Sequence, residues 1–111
     1  MSEQAAGEWR VALSEAEVPD GEAAACEVEG IAIAICRIDG NYYATSNMCT
    51  HEAAYLSDGL LDGCVLECPL HNARFDVKTG KVLSSPAQTD LKTFPVRTVD
   101  GHVEVLVSSE R

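Results

Sequence analysis

Four residues stand at a spacing that can bind metal. Cys49-Thr50-His51 is followed, after sixteen intervening residues, by Cys68-Pro69-Leu70-His71. Each short stretch offers one thiol and one imidazole. One or two residues between them let a tight turn aim both side chains the same way. Two cysteines and two histidines suit two kinds of site. One is a tetrahedral zinc ion. The other is a two-iron, two-sulfide cluster in which two thiolates hold one iron and two imidazoles the other, so that each stretch must reach both irons.

Such loops need a stiff framework, and strand signals dominate the chain. Trp9–Leu13 is a short run rich in apolar residues. Ile31–Cys36 is apolar without alternation and reads as a strand buried on both faces. Asp39-Gly40 marks a tight turn into Asn41–Thr45, and Asp62-Gly63 one into Cys64–Cys68. Thr79-Gly80 separates Phe75–Val77 from Lys81–Leu83, and Asp100-Gly101 joins Thr93–Val99 to His102–Val107. Leu13–Val18 and Ala53–Leu56 each carry signal for about one helical turn. Short strands with frequent turns predict an all-β sandwich or barrel. At 111 residues the chain fits a single domain, with a cluster-bearing subdomain over about 46–88.

The two stretches resemble the cluster-binding loops of Rieske-type 2Fe–2S ferredoxins, which serve bacterial aromatic-ring-hydroxylating dioxygenase systems. Cys49-Thr-His-Glu and Cys68-Pro-Leu-His-Asn-Ala-Arg-Phe-Asp carry the likeness. It extends through Tyr55-Leu-Ser-Asp-Gly59, Asp76-Val-Lys-Thr-Gly80 and Leu91-Lys-Thr-Phe-Pro-Val96. The resemblance implies three small antiparallel sheets with one 2Fe–2S cluster at a tip, ligated by Cys49, His51, Cys68 and His71. It implies a third, covering loop at Ser85-Pro86-Ala87. Zinc, by contrast, gives no reason for the flanking match.

The likeness also has informative gaps. In respiratory Rieske proteins each loop carries a further cysteine and the two pair. Ala54 and Leu70 stand at those positions here. The respiratory type donates hydroxyl hydrogen bonds to the cluster side from a Ser and a Tyr, where this chain has Ala73 and Phe75. Without those donors the reduced, electron-rich cluster is less stabilised. The expected potential is therefore at the low end of a range of roughly −150 to +300 mV.

The resemblance implies a one-electron carrier between a flavin-containing, NAD(P)H-dependent ferredoxin reductase and a terminal Rieske oxygenase. A monooxygenase or another redox complex is an alternative destination. No Gly-x-Gly-x-x-Gly follows a strand, so nucleotide oxidation falls to a separate reductase. A self-contained oxygenase is excluded by counting. Its non-haem iron needs two further histidines and a carboxylate, and of three histidines only His102 remains.

Net charge is −10, from 18 acidic and 8 basic residues. Eight of the acids precede residue 30 and are opposed only by Arg10. This field repels nucleic acid and anionic lipid, and it suits either a partner with a basic docking surface or plain solubility. The N-terminus shows no secretory signal, and no apolar run approaches the ~20 residues of a membrane span. The expectation is a monomeric cytoplasmic protein. Cys26, Cys36 and Cys64 are expected to be small buried hydrophobes, and His102 an exposed strand residue. Arg74, Lys78 and Lys81 are expected to balance Asp76. By the resemblance, Leu70, Pro69 and Pro86 form an apolar collar where redox partners dock; simple loop packing is the alternative.

Overall fold

A computed structural model describes residues 7–49, 55–69, 73–84 and 89–108. Three turns fold the framework: Glu29-Gly30, Asp39-Gly40 and Asp100-Gly101, each with positive φ at both residues. Two successive left-handed residues match the twist of the strands they join. The first connects β2 (Ala23–Val28) to β3 (Ile31–Ile38), the second β3 to β4 (Asn41–Ser46), and the third β9 (Val96–Val99) to β10 (His102–Ser108). The remaining strands are β1 (Gly7–Ser14), β5 (Leu60–Asp62), β6 (Val65–Glu67), β7 (Arg74–Asp76) and β8 (Thr93–Phe94). Two 3-10 turns, Glu15–Glu17 and Leu56–Asp58, are the only helical elements among the described residues.

The strands form three antiparallel sheets, in the orders β1-β10-β9, β2-β3-β4-β8 and β5-β6-β7. This matches the all-β class that the strand pattern predicts and the three small antiparallel sheets that the resemblance implies. The run Ile31–Cys36 is apolar throughout because β3 divides two cores. Ile33 and Ile35 pack with Val103 and Val105 in the framework core. Cys36, on the opposite face, joins Leu66 and Phe75 in a second core. The small sheet is therefore seated on the back of β3.

Two strand expectations change. Thr93–Val99 is not one strand but two, broken at Pro95: β8 pairs with β4, and β9 pairs with β10. Proline has no N–H for a ladder, so the chain crosses between sheets there. Lys81–Leu83 is not a strand. It makes a single bridge, Val82 to Phe75, beyond a turn closed by the Gly80 N–H on the Asp76 carbonyl at 2.6 Å. Two strands went unread. β2 opens with three alanines, poor strand formers, and takes its conformation from its six-residue register with β3. β5, only three residues long, is too short for a period to show.

Candidate metal centre

Cys49 lies three residues beyond β4 and Cys68 one beyond β6. The fold brings both into the same apolar core, with Leu56, Leu66, Ala73 and Phe75. Their exposures are 4% and 1%. His51 and His71 lie outside the described residues, as do Ala54, Leu70 and Ser85-Pro86-Ala87. No disulfide joins any of the five cysteines.

The bases of the loops are well defined. The first leaves from Asn47 and returns at Leu56, whose N–H donates to the Asn47 carbonyl at 2.8 Å. Met48 and Tyr55 form a bridge directly above. The second is closed by the Cys68 N–H donating to the Ala73 carbonyl at 2.7 Å, continuing the ladder that pairs Glu67 with Arg74. A third closure spans the segment that carries Pro86. The Val82 N–H donates to Asp90 Oδ1 at 2.8 Å, and the Leu91 N–H to the Gly80 carbonyl at 2.7 Å.

The donor chemistry fits an iron–sulfur group. Both sulfurs are buried in one largely apolar core, where a thiolate's charge is costly unless something compensates it. A bound iron supplies the compensating charge, and thiolate is the ligand form that metal selects. Ala73 and Phe75 are fully buried in this core and bring no hydroxyl to it.

The other cysteines sort differently. Cys36 is fully buried beneath the site, and burial pushes its thiol up to about 12. Cys26 is only half-buried and faces the framework core. Burial, and then the charge of Glu17, push its thiol up to about 11. Cys64 is also half-buried, in the turn before β6. The expectation of full burial therefore holds for Cys36 alone. His102 is exposed at the start of β10, as expected. Arg74 pairs across the ladder with Glu67 at 3.6 Å rather than with Asp76. Lys78 stands over the Tyr43 ring at 5.7 Å, while Asp76 accepts its backbone N–H.

Sequence reasoning missed several residues around the loops. Of the expected collar, Pro69 is described and exposed. Met48, Tyr55 and Leu83 are large side chains left 40%, 50% and 49% exposed at the loop bases. No periodicity marks them, because each lies at an irregular boundary.

Residues 8–95 match the family model for the Rieske 2Fe–2S domain. The chain is 47% identical over 89 residues to the ferredoxin component of the naphthalene 1,2-dioxygenase/salicylate 5-hydroxylase systems of Ralstonia sp. That alignment covers 80% of this chain and 86% of the relative. Its fold is similar to the Sphingomonas yanoikuyae B1 ferredoxin, with a TM-score of 0.84 and 39% identity over 88% of this chain and 97% of that one. It is also similar to a chain in the complex of reduced oxygenase and oxidised ferredoxin in carbazole 1,9a-dioxygenase. There the TM-score is 0.82 and the identity 37%, over 87% and 91% of the two chains. The chain belongs to the Rieske 2Fe–2S family and carries one such cluster. Within it, the chain is an electron-transfer ferredoxin of the kind found in aromatic dioxygenase systems, not a catalytic subunit. Among the described residues no helix is long and apolar enough to cross a membrane.

Proposed function

We propose that this ferredoxin is a monomeric cytoplasmic shuttle. It takes single electrons from a flavin-containing, NAD(P)H-dependent reductase and delivers them to a terminal aromatic-ring-hydroxylating Rieske oxygenase. Cys49 and Cys68 hold one iron and His51 and His71 the other. The bound cluster supplies reversible one-electron chemistry.

The observation that carries the ligand assignment is the convergence of Cys49 and Cys68, nineteen positions apart, in one core. Each opens a loop in which a histidine follows by two or three residues. The described residues would then do three things. They shield the sulfur side with hydrocarbon, fix the loop bases through backbone hydrogen bonds, and withhold hydroxyl donors at Ala73 and Phe75. That last property favours a low potential, as does the net charge of −10, which opposes one more negative charge on reduction.

Docking is supported by the exposure of Met48, Tyr55, Pro69 and Leu83 at the loop bases, with Leu70 and Pro86 following in sequence. Small contacts suit transient electron-transfer encounters. The similarity to a chain from an oxygenase–ferredoxin complex points to the same class of acceptor.

The test is reconstitution. Purified chain is added to the reductase and oxygenase of a naphthalene dioxygenase system lacking its own ferredoxin. The expected result is NAD(P)H-dependent dihydroxylation that scales with added chain. Reduction of the chain without any transfer to the oxygenase would contradict the proposed acceptor.

A further inference from the structure

We infer that Asn47 is a positioning residue, whose side-chain amide, clamped onto Ser57, fixes how the first loop presents Cys49 and His51. The inference rests on the ligand assignment proposed above.

Asn47 is polar yet 2% exposed, and all four of its hydrogen-bonding groups are engaged. Its backbone N–H donates to the Ala32 carbonyl at 2.9 Å, anchoring it beside β3. Its carbonyl accepts the Leu56 N–H at 2.8 Å. Its Oδ1 accepts the Ser57 N–H at 2.8 Å. Its Nδ2 donates to Ser57 Oγ at 2.9 Å. One residue thus holds two successive residues on the returning arm, and Cys49 stands two positions further on.

The chemistry explains the residue type. A primary amide carries a donor and an acceptor on one rigid plane. It can therefore receive a backbone N–H and give to a hydroxyl at once, which alanine or an aliphatic residue cannot. The Asn47–Leu56 bond and the Met48–Tyr55 bridge tie the two arms through the backbone. The two side-chain bonds to Ser57 extend that closure by one buried residue on the returning arm.

Among the described residues the second loop is closed by the Cys68–Ala73 backbone bond, the β6–β7 ladder and the Arg74–Glu67 ion pair. The first loop is held by a buried side-chain amide, so a single change at Asn47 loosens its base. Because that loop carries one ligand to each iron in the proposed assignment, loosening it moves a donor on both. Residues that orient metal ligands are costly to replace even without touching the metal.

The experiment uses iron-loaded full-length protein and four chains: native, Asn47→Ala, Ser57→Ala and Ser57→Thr. Four readouts apply: the electron paramagnetic resonance spectrum after dithionite reduction, the midpoint potential, the rate of iron loss to a chelator, and hydrogen exchange. Asn47→Ala is expected to shift the g values and potential and to lose iron about tenfold faster. Ser57→Ala shifts both less, and Ser57→Thr, which keeps the hydroxyl, restores native values. Hydrogen exchange is expected to rise over residues 48–57 and not in β10. Native spectrum, potential and iron retention in Asn47→Ala would overturn the clamp, as would exchange rising equally across the framework sheets. If Asn47→Ala does not fold, the contrast between Ser57→Ala and Ser57→Thr decides, and identical behaviour of the two overturns the inference. A native protein without histidine-coupled iron would instead count against the ligand assignment.

Discussion

Gly59 stands so close to Glu67 that a Cβ on it would lie 1.9 Å from the Glu67 carbonyl oxygen and 3.1 Å from Pro69 Cδ. Backbone meets backbone there, so nothing can swing aside. The contact sets the chain leaving the first loop's 3-10 turn against the residues that open the second. Gly59→Ala is expected to destabilise the protein by about 3 kcal/mol, as overpacking does when its neighbours cannot yield. Denaturant titration of the variant and the native protein checks it. Gly80→Ala is expected to behave alike, since its Cβ would lie 2.2 Å from the Leu91 carbonyl.

Cys49→Ser and Cys68→Ser are each expected to abolish cluster assembly, because a hydroxyl is a poor replacement for a thiolate ligand. Visible absorption and iron content of the purified variants report it. Cys26→Ser lies in the other core and should leave the visible spectrum unchanged. Retention of the native spectrum in either ligand variant would remove that residue from the assignment.

Restoring hydroxyls should raise the potential. Ala73→Ser and Phe75→Tyr each add an O–H at a buried position of the site core. A new hydrogen bond favours the reduced, more negative cluster, so the midpoint rises by an amount on the order of tens of millivolts. Protein-film voltammetry measures this directly. A native midpoint already above that of the hydrogen electrode would contradict the low-potential reading.

The buried thiols give alkaline sensitivity. Cys36 is pushed up to about 12 and Cys26 to about 11, from an ordinary 9.0. Both are neutral in the folded chain at neutral pH. Above pH 9 the unfolded chain ionises them while the folded chain does not, so the unfolded state gains. Stability is therefore complete below about pH 9 and falls from there toward 11 and 12. Denaturant midpoints at pH 8 and about pH 10 should show the fall, and Cys36→Ala should flatten it.

Much of this was readable from the residues because single turns and single donors carry it. Asp39-Gly40 and Asp100-Gly101 announce hairpins by composition. Glu29-Gly30 makes the same turn, with the same signs of φ, but glutamate gives no such signal, and so β2 went unseen. Pro95 looks like part of a strand until the ladders of β4 and β10 pull its two sides into different sheets. The ligand pairs stand out because cysteine and histidine at short spacing are rare. Asn47 does not, because one asparagine at a strand end resembles any other until Ser57 arrives beside it from ten residues away. Cys36 and Cys64 read alike as sequence, and only the seating of the small sheet on β3 separates a buried thiol from a half-buried one.

The most direct measurement is pulsed electron paramagnetic resonance of the dithionite-reduced protein, in native form and with His51→Ala and His71→Ala. The account predicts a reduced two-iron signal coupled to two distinct imidazole nitrogens, one of them missing in each variant that still assembles a cluster. A signal with no nitrogen coupling, or purified protein that holds zinc and no iron, would contradict it.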